Sequence, residues 1–160
     1  MEFSLTQRES IVAAVLAGIA GALALDAFLL IVPFPGTEYL GPLAYYTYAA
    51  TILAGDAAIG APWAVAVGLL GHIIIAVGWA FGYLYVARTR VQLIERPVIS
   101  GIGFGIVVAC ITLATLALIG KYQPPTVHSI DRDLIAYTVF FGIPLALVVA
   151  RFAPASARTN

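Results

Sequence analysis

Apolar residues run along this chain in four long blocks, Ile11–Val32, Pro62–Ala87, Pro97–Gly120 and Leu134–Ala150, separated by stretches where proline, tyrosine and charge collect. Each block is roughly 17 to 26 residues long. A helix rising about 1.5 Å per residue needs about 20 residues to cross a hydrocarbon core. Backbone amides in lipid must be bonded internally, so only helices or a closed barrel can span, and none of the blocks alternates with the period of a barrel strand. The pattern predicts an all-α membrane protein: a bundle of four transmembrane helices over residues 11–32, 62–87, 97–120 and 134–150, in a single integral membrane domain covering 1–160.

The connections differ in kind. Pro33, Pro35 and Gly36 end the first block, and the aromatic-rich stretch that follows carries Tyr39, Tyr45, Tyr46 and Tyr48 among apolar residues. Tyrosine favours the headgroup zone because one end of its ring is apolar and the other wet. The expectation is a short interfacial helix over Gly41–Ala54, lying along the outer face or over the bundle mouth. The connection Lys121–Asp133 is polar, with Pro124-Pro125 enforcing extended backbone and Asp131 placed to cap the last helix. Pro144, two residues after Gly142, removes a backbone bond from that helix and is expected to kink it.

Charge gives the bundle a direction. Arg8, Arg88, Arg90, Arg96, Arg151 and Arg158 fall on one side of a four-span topology and Lys121 and Arg132 on the other. The positive-inside rule puts both termini in the cytoplasm. Ala22-Leu23-Ala24 imitates a signal-peptidase site, but the leader holds Glu2 and Glu9 against Arg8 and the apolar run continues past the imitation, so the first block is read as a retained span.

Composition narrows function mainly by exclusion. The chain is 62% hydrophobic and 10% charged, with net charge zero. Its basic residues are scattered singly, which excludes the basic stripe that nucleic acid requires. Cys110 stands alone in an apolar run, so there is neither an internal disulfide nor a cysteine metal cluster. Phosphate loops, metal spacings and a nucleophile triad are absent from the sequence, and the expectation is a non-catalytic protein.

Two polar residues interrupt the spans. Asp26 is the acidic residue within a span; a carboxyl there costs a few kcal/mol on insertion scales, so it reads either as an ion or proton site or as a carboxyl bonded to a neighbouring Tyr or Thr. His72, with Gly68 and Gly71 on the preceding turn and Trp79 beyond, reads either as a hydrogen-bonded core histidine or as an axial ligand to haem or (bacterio)chlorophyll. The spacing Gly68-x-x-x-His72 with Trp79 is similar to the pigment-binding stretch of bacterial light-harvesting polypeptides. Asp26 lies near the outer end of its helix and His72 nearer the middle of its own, which is expected to keep them apart. Thr112 and Thr115 can bond back to their own helix.

Association in lipid depends on close packing, so small residues mark contact faces. Gly18 on the first helix, Gly78 and Gly82 on the second, and Gly101 and Gly105 on the third are the expected packing positions. The second and fourth helices end alike, in Val86-Ala87-Arg88 and Val149-Ala150-Arg151, which suggests two related helix pairs about an axis along the membrane normal.

The run from His72 through Gly78-Trp79-Ala80, Gly82-Tyr83 and Tyr85-Val86-Ala87, with Arg96-Pro97 and Ser100-Gly101 and with Phe140-Phe141-Gly142 and Pro144, resembles a group of uncharacterised four-span bacterial membrane proteins, loosely YagU-like. The resemblance covers most of Leu16–Arg151 and implies the topology but no activity. Function is accordingly expected to be that of an accessory or scaffolding subunit, in contact with the lipid bilayer and with other membrane subunits or itself. The alternatives are a haem- or pigment-binding subunit using His72 and a small transporter or channel centred on Asp26.

Overall fold

A computed structural model describes residues 5–32, 42–120 and 127–154, without the side chains of 42 and 127–129. The described residues are mostly helical: α1 (Gln7–Ile31), α2 (Pro42–Ala54) with a 3-10 turn after it, α3 (Ala64–Thr89), the single turn α4 (Gln92–Glu95), α5 (Pro97–Leu118), α6 (Val127–Ile135), a π-helical segment (Ala136–Gly142) and α7 (Ile143–Phe152). Four helices are long and apolar enough to cross a membrane: α1, α3, α5, and the continuous helix Ile130–Phe152 built from α6, the π segment and α7. The chain is an integral-membrane helix bundle. The expected extended backbone at Pro124-Pro125 and the turn at Pro33–Gly36 lie outside the described residues.

Local chemistry moved several ends. α1 begins one turn earlier than its apolar block, because the Thr6 hydroxyl accepts from the Glu9 amide while the Glu9 carboxylate accepts from the Thr6 amide, a reciprocal capping box. α5 stops where Gly120 takes a left-handed φ of 68°, a conformation that favours glycine. The last helix begins at Val127, so Asp131 sits inside it rather than at its cap as expected.

Pro144 has no N–H to offer its own helix. Just before it the backbone widens over Ala136–Gly142, and the Ile143 N–H bonds to the Thr138 carbonyl, five residues back. The expected interruption of helix four is therefore absorbed as a π segment, a form that is rare and favours functional sites.

Side by side the spans run α3, α1, α7, α5. Each close pair is made by glycine. A Cβ on Gly18 would stand 2.6 Å from the Val77 backbone of α3, one on Gly101 2.7 Å from the Gly142 carbonyl, and one on Gly105 2.3 Å from the Tyr137 carbonyl. Gly78 and Gly82 differ: among the described residues, nothing beyond their chain neighbours and own helix backbone lies within 4 Å of a Cβ on either, and both are exposed. If the two helix pairs are related by a twofold relation, the α1–α7 and α3–α5 interfaces are counterparts. The first is closed, whereas α3 and α5 lie apart.

At one end of the bundle α3 and α5 are nonetheless joined by side chains. Phe104 meets Trp79 and Tyr83 edge-on, with ring centroids 6.1 and 5.0 Å apart. The buried Tyr83 hydroxyl bonds to Ser100 Oγ at 2.7 Å and to the Leu93 carbonyl at 3.1 Å, and so holds the α4 turn, whose Ile94 is buried, beneath the helices. Arg88 reaches Ser10 Oγ from α3 to α1 at the same end. Tyr83→Phe removes one hydrogen-bonding hydroxyl but leaves Ser100 bonded to Leu93. The expected loss is about 1 kcal/mol, a fall of about 2–4 °C in the thermal midpoint of the detergent-solubilised protein.

Candidate functional site

The space that α3 and α5 leave between them is a cavity of about 260 Å³. α3 contributes Gly71, His72, Ile75, Ala76 and Trp79; α5 contributes a stripe from Val108 through Thr112 and Thr115 to Ile119. α2 closes it with Tyr45, Tyr48 and Ile52, and Tyr137 and Phe141 of the π segment form part of the remaining wall. Among the described residues, no lysine or arginine lines it. The walls are mostly apolar, with a few hydroxyls and one imidazole.

α2 can take this position because α3 is smooth where they cross. A Cβ on Gly68 would fall 1.8 Å from the Tyr46 carbonyl, and one on Gly71 2.4 Å from a methyl of Leu53. Gly68 and Gly71 do not leave room for a macrocycle beside His72, as the pigment reading supposes; the backbone of α2 and Leu53 fill it. Ala50 and Ala64 are buried together beside this crossing.

Asp26 and His72 meet. His72 Nε2 lies 3.4 Å from Asp26 Oδ1, and the two side chains are 6% and 15% exposed. The expectation that depth would separate them fails because both helices extend past the polar residue by similar amounts. Asp26 is roughly 8 Å from the C-terminal end of α1 and His72 roughly 12 Å from the N-terminal end of α3, at about 1.5 Å per residue. Side chains cover that difference.

Around the pair stand two phenols of α2. The Tyr45 hydroxyl is 3.2 Å from His72 Nδ1, and their rings meet edge-on at 5.2 Å. The Tyr46 hydroxyl is within hydrogen-bonding reach of the Asp26 carboxyl. Burial pushes the Tyr46 phenol upward from its ordinary value and the Asp26 carboxyl adds to the shift, so Tyr46 remains a neutral donor. Burial does the same to Tyr45. The Tyr45 contact can run from the hydroxyl to Nδ1 or from Nδ1–H to the hydroxyl, according to the tautomer of the ring.

The approach of His72 to Asp26 is not a hydrogen bond. Nε2 and Oδ1 are both buried, 3.4 Å apart, and among the described residues neither has a hydrogen-bond partner. Buried polar atoms without partners are costly, on the order of 1–3 kcal/mol each. Elsewhere the hydroxyls are answered: Thr115 bonds back to the Ile111 carbonyl at 2.8 Å, and Thr112 is within reach of Tyr137.

Among the described residues no three His, Cys, Asp or Glu side chains gather as a metal site. The imidazole has one nitrogen toward Tyr45 and the other toward Asp26, so axial ligation would have to displace one of them. The sequence marked Asp26 and His72 separately but missed Tyr45, Tyr46 and the π segment as parts of one site. The tyrosines were visible only as an interfacial belt. Comparison of the chain with protein-family models, curated proteins and solved structures finds no match. The functional reading rests on the geometry of the site.

Proposed function

We propose that this protein is a non-catalytic membrane protein that holds a small amphiphilic molecule drawn from the bilayer, in the cleft between α3 and α5. The observation that carries this reading is the cleft itself, an apolar space of about 260 Å³ with Tyr45 and His72 in its wall. Binding sites for small molecules are mostly apolar with a few placed polar groups, and commonly about 300–1,000 Å³ for drug-sized ligands. A space somewhat below that range suits one chain or one small ring. It supports a lipid-borne ligand better than a porphyrin or chlorin macrocycle.

On this reading the charged ends follow the positive-inside arrangement, with the termini and the α3–α5 connection in the cytoplasm of a bacterium. Photolabelling tests the proposal. A dodecyl probe bearing a diazirine should label peptides of α3 and α5 around Ile75 and Thr112 in the purified protein. Thr115→Trp, at an exposed position on the cleft rim, should fill the space and reduce that labelling at least fivefold without lowering the thermal midpoint. Labelling spread evenly over the lipid-facing surface, and unaffected by Thr115→Trp, would remove the reading.

A second reading, of an accessory subunit that packs against other membrane chains or itself, is favoured by a separate observation. Gly78 and Gly82 form a smooth, exposed face on α3 with nothing against it, and such faces allow close helix approach in lipid. Gentle purification from the native membrane should then retain a companion that Gly82→Ile loses. A transporter centred on Asp26 gains less, because the carboxyl is turned onto His72 and Tyr46.

A further inference from the structure

Independently of the cleft, arginines collect at the end of the bundle where α1 and α5 begin and α3 and α7 end, and we infer that this end is a docking surface for anionic phospholipid, with Arg88 as its fixed point. Among the described residues Arg8, Arg88, Arg90, Arg96 and Arg151 stand there. Close to them in sequence, Leu5, Ala87, Val91, Ile94 and Ala150 belong to one apolar cluster, which gathers the helix ends and the α4 turn. Of the described carboxylates at this end, Glu9 is turned onto the Thr6 amide and hydroxyl, and Glu95 is the other. Among the described residues none pairs with any of these arginines. The opposite end has the reverse balance, Arg132 against Asp56, Asp131 and Asp133, and that arginine is paired with Asp133 at 2.8 Å.

Arg88 is the arginine that the fold itself holds. Ser10 Oγ donates to the Thr6 carbonyl at 2.6 Å and accepts from Arg88 Nη2, which ties the last turn of α3 to the start of α1. Arg88 Nε is buried without a hydrogen-bond partner, whereas Nη1 is neither enclosed nor bonded. A charge withdrawn from water calls for a counter-charge. The described protein supplies none, so the anion comes from outside.

Depth identifies that anion. The 26 residues of α3 extend about 39 Å against a hydrocarbon core of about 30 Å, so its last turn reaches the headgroup layer. Tyr85, one turn before Arg88, is 73% exposed, as a tyrosine of an interfacial belt would be. The anion of that layer is lipid phosphate, whose oxygens match the guanidinium fork. A zwitterionic headgroup brings an ammonium into the field of the arginines; an anionic one does not.

The test uses the full-length protein in uncharged maltoside micelles at about 50 mM salt, with dioctanoyl phosphatidylglycerol, dioctanoyl phosphatidylcholine and inorganic phosphate as probes and thermophoresis as the readout. Phosphatidylglycerol should bind about tenfold or more tighter than phosphatidylcholine, and the difference should shrink at about 500 mM salt, where exposed charges are screened. Arg90→Gln, Arg96→Gln and Arg151→Gln, all at exposed positions, should each weaken phosphatidylglycerol about fivefold, whereas Arg132→Gln at the opposite end should not. Arg88→Lys, which keeps the charge and loses the fork, should also weaken it. Equal affinity for the two lipids, or equal losses in the Arg90 and Arg132 variants, overturns the docking surface. Displacement of the lipid by inorganic phosphate at equal concentration overturns the lipid as its occupant, and an unchanged affinity in Arg88→Lys overturns Arg88 as its fixed point.

Discussion

Gly142→Val is expected to lower the thermal midpoint of the solubilised protein by roughly 6–12 °C, corresponding to about 3 kcal/mol for a chain of this size. A Cβ at Gly142 would stand 2.1 Å from the Gly101 carbonyl and 3.0 Å from its carbon, so the clash is with backbone rather than with a side chain that can turn away. Gly101 answers it from the other helix, its own Cβ falling 2.7 Å from the Gly142 carbonyl. The two glycines are the point where α5 and the π segment touch main chain to main chain. Separating them shifts Tyr137 and Phe141, which line the cleft, so probe binding should weaken together with stability. Gly82→Ala supplies the contrast. Among the described residues, nothing beyond its chain neighbours and own helix backbone lies within 4 Å of a Cβ there, and alanine is the better helix former by up to about 1 kcal/mol, so the midpoint should hold or rise. Differential scanning fluorimetry of the two variants in one detergent decides between these outcomes. Equal midpoints would mean that the glycine contact contributes nothing.

How much of this was legible in the sequence depends on which physical signal wrote it. The four spans were legible because hydrocarbon thickness imposes a length on any apolar helix, and α2 was legible as a helix because tyrosine and alanine collect between two turn signals. Glycine spacing located faces but not partners. Gly18, Gly101 and Gly105 turn toward backbone, whereas Gly78 and Gly82 turn outward with the same four-residue interval. The interval says that one face is smooth and says nothing about what approaches it. The capping box at Thr6 and Glu9 was readable by the rule for such boxes, and was hidden by attention to the apolar block that begins after it.

The site was harder to read because it is made by a crossing. Asp26, His72, Tyr45 and Tyr46 come from three helices, and what unites them is the backbone approach of α2 at Gly68, a tertiary fact with no local signature. A hint existed: two small residues, Gly68 and Gly71, stand on the turn before His72. The sequence reads them as space for a cofactor, but the backbone of α2 and Leu53 fill that space. The π segment was similarly half visible. Pro144 announced a missing bond, but whether a helix bends or widens there is decided by neighbours, here by α5 pressed close at Gly101 and Gly105.

Asp26 and His72 should behave as a coupled pair when each is replaced. Asp26→Leu removes the carboxyl that stands 3.4 Å from His72 Nε2 and within reach of the Tyr46 hydroxyl; His72→Phe leaves that carboxyl facing an apolar ring and takes the imidazole away from Tyr45. Orphaning a buried polar partner costs about 1–3 kcal/mol, and more if the survivor is charged. The double replacement removes both polar groups, and apolar pairs that fill the volume of a buried polar pair are often neutral or stabilising. The expected result is that each single variant unfolds at a lower temperature than the double variant, with a coupling of about 1–3 kcal/mol in the cycle. Additive losses of stability would mean that Asp26 and His72 do not interact across their 3.4 Å, and the site as described would then have no basis.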